Sequence, residues 1–190
     1  MSNPFQNIRA AAGDQDRSFN WYMNSVKKMA GQLTDYNDVK KTDLGDLTSK
    51  IEPGNMYMFM YDPKLKETLP YYDTFPLCLP FDSAPGGFIG LNLHYLPPLQ
   101  RAVLLGNLLD YTDKQLTEKS KIDVSWSLLK NFTKFPQVKP SIKRYLNNHV
   151  QSRFLKVEPQ HWKAAIFLPT HNFVGANTRT VYQNSNKAMQ

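Results

Sequence analysis

The sequence predicts an α+β chain: a small SH3-like or OB-like β-barrel flanked by an N-terminal helix and a basic helical C-terminal region. Three observations lead there. Met56–Tyr61 and Phe88–Leu93 are short apolar runs bounded by turn residues, as strands are. Apolar residues repeat at three and four before and after that block, as on one face of a helix. Thirteen prolines against nine glycines punctuate the chain with fixed turns, and strands with Pro at their ends and Gly inside suit a bent barrel better than a flat sheet. At 190 residues the chain has room for one domain with extended arms. The division expected is an arm, helix and linker over 1–52, the barrel over 53–96, a helical, basic region packed on it over 97–169, and a polar tail over 170–190.

Residues 1–13 lack periodicity and read as an arm. From Asp16 to Leu33 the positions Phe19, Tyr22, Val26, Met29 and Leu33 form one stripe of an amphipathic helix, with Asp16 or Ser18 as N-cap. Residues 34–52 alternate charged and small polar groups and read as a linker that orders only against a partner. Pro53-Gly54 is a turn signal. In the strand after it, the two-residue period puts Met56, Met58 and Met60 on one face and Tyr57, Phe59 and Tyr61 on the other. A strand apolar on both faces must be covered twice, so a terminal helix is expected outside the barrel. The Pro-punctuated Phe75–Phe81, the turn Ala84-Pro85-Gly86-Gly87 and the strand Phe88–Leu93 complete the block.

Pro97-Pro98 opens a helix with Leu99, Ala102, Val103, Leu105, Leu108, Leu109 and Tyr111 on a broad apolar face. After a charged connection over 112–123, helical spacing resumes at Trp126, Leu129 and Phe132, and again at Ile142, Tyr145, Leu146, His149 and Val150. Phe154–Val157 fits a strand, and Glu158-Pro159 a helix start running to Leu168. Beyond Gly175 the chain is polar and is expected to be loose or partner-bound.

Cys78 is the single cysteine, so no intrachain disulfide can form, which fits a reducing compartment. No apolar run approaches the roughly 20 residues of a membrane span, and the first residues lack the apolar core of a secretory signal. The expected setting is the cytoplasm, or a particle assembled there, with no membrane partner.

Chemistry finds little support. His94, His149, His161 and His171 form no zinc-type cluster, and each reads better as a packed or surface residue. Asp62, Glu67, Asp73 and Asp82 lie close in sequence and would suit paired acid–base work or Mg²⁺, but Asp beside Pro and Tyr more often caps a turn. Nucleophile-elbow, Walker and dinucleotide motifs are missing. The expectation is a non-enzyme without metal or cofactor.

The charge is segregated. Residues 1–50 carry 7 basic and 6 acidic side chains, 51–112 carry 3 and 6, and 113–190 carry 13 and 4, within a net +7. Between Asp123 and Glu158 no acid occurs, while Lys130, Lys134, Lys139, Lys143, Arg144, Arg153 and Lys156 do. A merely solvated face would mix signs; uncompensated cations point to a polyanion, and these seven are the candidate phosphate contacts. Trp126, Phe132, Phe135, Tyr145 and Phe154 interleave them, some for the core and some available for base stacking.

The block Pro53–Lys64, Thr68–Leu77 and Gly87–Pro97 resembles a group of small late virion proteins of T-even-type tailed phages, and Phe19–Tyr22, Lys139–Leu146 and Phe167–Thr170 are similar to that group too. The resemblance spans most of 18–185. It implies a non-catalytic virion protein without cofactor, of the DNA end protector kind, with phage DNA and neighbouring virion proteins as partners. The competing implication is a tail or baseplate component whose basic face meets acidic protein.

Overall fold

In the computed structural model, the described residues are 18–28, 36–42, 44–112, 129–131 and 133–190, together with Ile8 and Ala11; side chains at 110–112 are outside the description. Gly54, at φ 83°, turns the chain into β2 (Met56–Met58), all of it buried. Around β2 a six-stranded antiparallel sheet runs in the order β1 (Gly45–Thr48), β7 (Phe154–Val157), β2, β4 (Leu77–Ala84), β5 (Gly87–Asn92) and β6 (Ile142–Leu146). A short ribbon pairs β3 (Tyr72–Asp73) with β8 (Phe173–Val174). The helices are α1 (Phe19–Lys27), α2 (Tyr36–Lys40), α3 (Pro98–Thr112), α4 (Trp162–Ala165) and α5 (Thr178–Ala188).

The α+β class stands, but the barrel is corrected. β1 pairs only with β7 and β6 only with β5 among the described residues, so the sheet is open. Three of its strands also come from outside 53–96. Residues 142–146, whose spacing suggested a helix, form an edge strand, and the 34–52 stretch contributes α2 and β1. The tail, expected to be loose, forms α5, with Asn177 accepting the Thr180 N–H as N-cap and Val181 fully buried.

The two-residue period holds where it was read most strongly. Met56 and Met58 join Leu77, Leu79, Leu91, Leu155 and Val157 in the larger core, to which α3 adds Ala102, Leu104, Leu105 and Leu108. Tyr57, Phe59 and Tyr61 face the other way into an aromatic cluster with Phe88, Tyr145 and Phe154. The Phe59 ring meets Phe154 at 5.0 Å and Tyr145 at 5.2 Å, both edge-on, contacts worth about 0.5–1.5 kcal/mol each beyond burial. The expected Ala84–Gly87 turn forms with Gly86 at φ 71°, and Pro80 is tolerated inside β4 because the register shifts between Pro80 and Asp82.

α3 begins at Pro98 as expected, yet Leu99 and Val103 from its apolar list are 66% and 65% exposed, while Arg101 is buried. The Arg101 guanidinium donates to the carbonyls of Leu96, Ile166 and His94 and to the Tyr182 hydroxyl, tying α3 to α5 and the chain after α4. Trp126, Phe132 and the connection at 113–123 lie outside the described residues, as do Asp16, Met29 and Leu33.

Candidate nucleic-acid interface

Pro136 begins, and Pro140 lies within, a 3₁₀ segment, Pro136–Ser141, that feeds straight into β6. This carries the basic run 129–146 to one edge of the sheet. Lys130 reaches Asp82 at 3.6 Å, Lys134 donates to the Asn131 side-chain oxygen at 3.4 Å, and Lys139 is exposed. On β6 the strand period separates neighbours. Lys143 stands opposite Gly90, on the face of the aromatic cluster, and Arg144 opposite Ile89, on the other face. Arg144 donates to the Pro85 carbonyl at 2.9 Å, which holds it near the β4–β5 turn.

Lys143 is half-buried, its ammonium 3.8 Å from the centre of the Tyr95 ring. Burial lowers its pKa to about 8, since the charged form loses solvent. Beside it opens a cleft of about 540 Å³, lined by Lys143 and Arg144 with Tyr61, Tyr71, Tyr72, Tyr95 and Tyr145. Exposed Lys64, Leu65 and Leu69 contribute from the other side, and Asp73 and Asn92 line it too.

Asp73 holds this wall in place. Its carboxylate accepts from the Phe75 and Asn172 N–H groups, from Asn92 Nδ2, and from His94 Nδ1 at 2.7 Å. Burial opposes the charge, but these donors keep Asp73 below its ordinary pKa. Burial also holds His94 down, so it is neutral, with Nδ1–H on Asp73 and Nε2 accepting from Thr170 Oγ1 at 3.4 Å; this tautomer is assigned from the hydrogen-bond network. The Asp–His–Thr row resembles a relay, yet His94 and Thr170 are fully buried. Its work is positional: it ties together the chain at Phe75, Asn92 and Asn172 beside the cleft.

The seven sequence-derived cations do not form one patch. Five belong to the run that ends on β6. Arg153 and Lys156 are on or beside β7, four strand positions away, roughly 19 Å at the usual strand spacing. Arg153 donates to the Leu47 carbonyl, and Lys156 pairs across the strands with Asp46 and Tyr57. Sequence reasoning missed Lys64, Tyr71 and Tyr95 as companions of Lys143. The signal available was weak: Tyr71-Tyr72 and His94-Tyr95 lie within the blocks that carry the family likeness but form no ligand-binding motif.

The Asp62, Glu67, Asp73 and Asp82 set is not brought together as a site: Asp62 pairs with Lys66, Asp82 with Lys130, and Asp73 with His94. No group of three or more metal-ligating side chains occurs among the described residues, and no helix there is long and apolar enough to cross a membrane. A family model described as Phage T4 terminal DNA protecting protein matches residues 6–188. The chain belongs to that family. Membership in the terminal DNA protecting family bears out the likeness to T-even-type phage virion proteins and covers nearly all of the fold, from before α1 to the end of α5. No curated protein and no solved structure matches the chain.

Proposed function

We propose that this protein is a non-catalytic phage virion component that binds the ends of genomic DNA and shields them from exonuclease. Family membership over residues 6–188 carries the reading. The +7 net charge, concentrated in the half of the chain that supplies β6 and β7, fits a partner whose backbone is anionic. Lys130, Lys134, Lys139, Lys143 and Arg144 make the first set of phosphate contacts. Arg153 and Lys156, roughly 19 Å away, meet backbone about six base-pair steps further along a duplex. Neighbouring virion proteins are the second class of partner.

The test uses the full chain with a linear duplex and a closed circular duplex of the same sequence. The expected result is dose-dependent protection of the linear DNA from a processive exonuclease, with tighter binding to linear than to closed DNA. Binding of neither form, with the ends digested at the uninhibited rate, would overturn the reading and favour a component whose basic surface meets acidic protein.

A further inference from the structure

Sequence-tolerant phosphate contact explains attachment to DNA anywhere along its length but does not distinguish an end from the middle. The cleft beside β6 supplies a difference. At about 540 Å³ it has the size of a small-ligand site, far too small to admit a duplex roughly 20 Å across, yet roomy enough for one nucleotide taken out of the stack. Its lining matches the two parts of a nucleotide. Half-buried Tyr71 and Tyr72 present aromatic surface, with buried Tyr95 behind Tyr71 at 6.0 Å between ring centres, while Leu65 and Leu69 are 63% and 43% exposed beside them. Lys143 brings positive charge from β6, while the Arg144 guanidinium is turned to Pro85, and Lys64 lines the cleft from the chain after β2.

Resting on the DNA-end reading above, we propose that this cleft captures the last nucleotide of a DNA strand, unpaired from its complement, stacking its base on the tyrosines and holding its phosphate at Lys143. A terminal nucleotide frays at small cost, whereas an internal one must be extruded against stacking on both sides. The cleft therefore selects ends. The ammonium over the Tyr95 face is pre-positioned, so little side-chain freedom is lost when phosphate arrives. The depressed basicity of Lys143 agrees with a cation held away from water and short of a counter-charge.

The experiment measures binding of the full chain to a linear duplex and to a dumbbell duplex of equal length whose ends are closed by loops. Wild type is compared with Lys143→Gln and Tyr71→Ala, each checked for an unchanged thermal midpoint. The expected result is a preference of wild type for the open duplex, reduced about tenfold by Tyr71→Ala through loss of one stacking surface, with dumbbell affinity unchanged. Should a variant misfold, lysine methylation of the wild-type chain provides the second readout: a 5′-phosphorylated dinucleotide is expected to shield Lys143 while leaving Lys139 reactive. Preference for open ends that both variants retain, with Lys143 unshielded, would overturn the cleft assignment and leave the DNA-end reading standing. Equal wild-type affinity for both duplexes would overturn both. Competition by thymidine 5′-monophosphate alone, without end preference, would mark the cleft as a free-nucleotide site and likewise overturn the assignment.

Discussion

Replacing Asp73 by Ala strands four donors at once: two backbone N–H groups, Asn92 Nδ2 and His94 Nδ1. Leaving a buried donor unpaired costs about 1–3 kcal/mol, so urea denaturation of Asp73→Ala is expected to show a loss of at least that order. The neighbouring histidines set an acid limit. Burial lowers His171 to about 4 and also lowers His94, whereas both take up protons near pH 6.5 in the unfolded chain. The unfolded state therefore binds more protons as pH falls from about 6.5 towards 4, and stability falls through that window. Asp73, held below its ordinary value, adds its own loss only at more acidic pH. A urea midpoint that stayed flat between pH 6.5 and 4 would contradict the neutral assignment of both rings. Lys143 acts in the opposite range: its charge disappears as pH rises through about 8, so affinity for linear DNA is expected to drop between pH 7 and 9 in wild type and to change less in Lys143→Gln.

β1 is held on the sheet by one neighbour, and a methyl group is enough to dislodge it. A Cβ at Gly45 would lie 1.7 Å from the Lys156 carbonyl oxygen, a backbone atom that cannot step aside. Gly45→Ala is expected to destabilise the chain by about 1–3 kcal/mol, the usual cost of overpacking, and to open residues 41–50 to limited proteolysis. The same strand shows why some elements were legible in the sequence and others were not. Met56–Tyr61 declared both of its faces, Pro85-Gly86 its turn and Pro98 its helix start, because a two-residue period, a positive φ and a missing N–H each leave a local signature. β1 has no such signature: it is a half-exposed edge whose Gly and Asp tolerate pairing without demanding it. β6 was misread because Ile142, Tyr145 and Leu146 match a helical spacing, and only the inward Tyr145, stacked on Phe88 at 5.1 Å, reveals the strand. α5 hides its buried Val181 and Ser185 in a polar composition. The cleft was not legible because its wall is assembled from four separate stretches of chain.

Across the whole molecule the cations divide into a β6 group and a β7 group, and salt dependence separates them. Each phosphate contact contributes about 0.9 to the slope of log affinity against log salt. Neutralising Lys130, Lys134, Lys139, Lys143 and Arg144 together is expected to flatten the slope by about 4.5, and Arg153 with Lys156 by about 1.8. An unchanged slope in the fivefold variant would show that those side chains do not meet phosphate. The strand order carries a different consequence. Gly45 is registered against Val157, and β7 sits between β1 and β2, which are both made much earlier. A ribosome emitting about 5–20 residues per second exposes β1 some 5–20 s before the strand that seats it. Until then its backbone groups have only water to bond, and a message cut short before Phe154 yields a chain in which they never find another partner. Such a truncated product is expected to be cleared by cellular proteases rather than packaged.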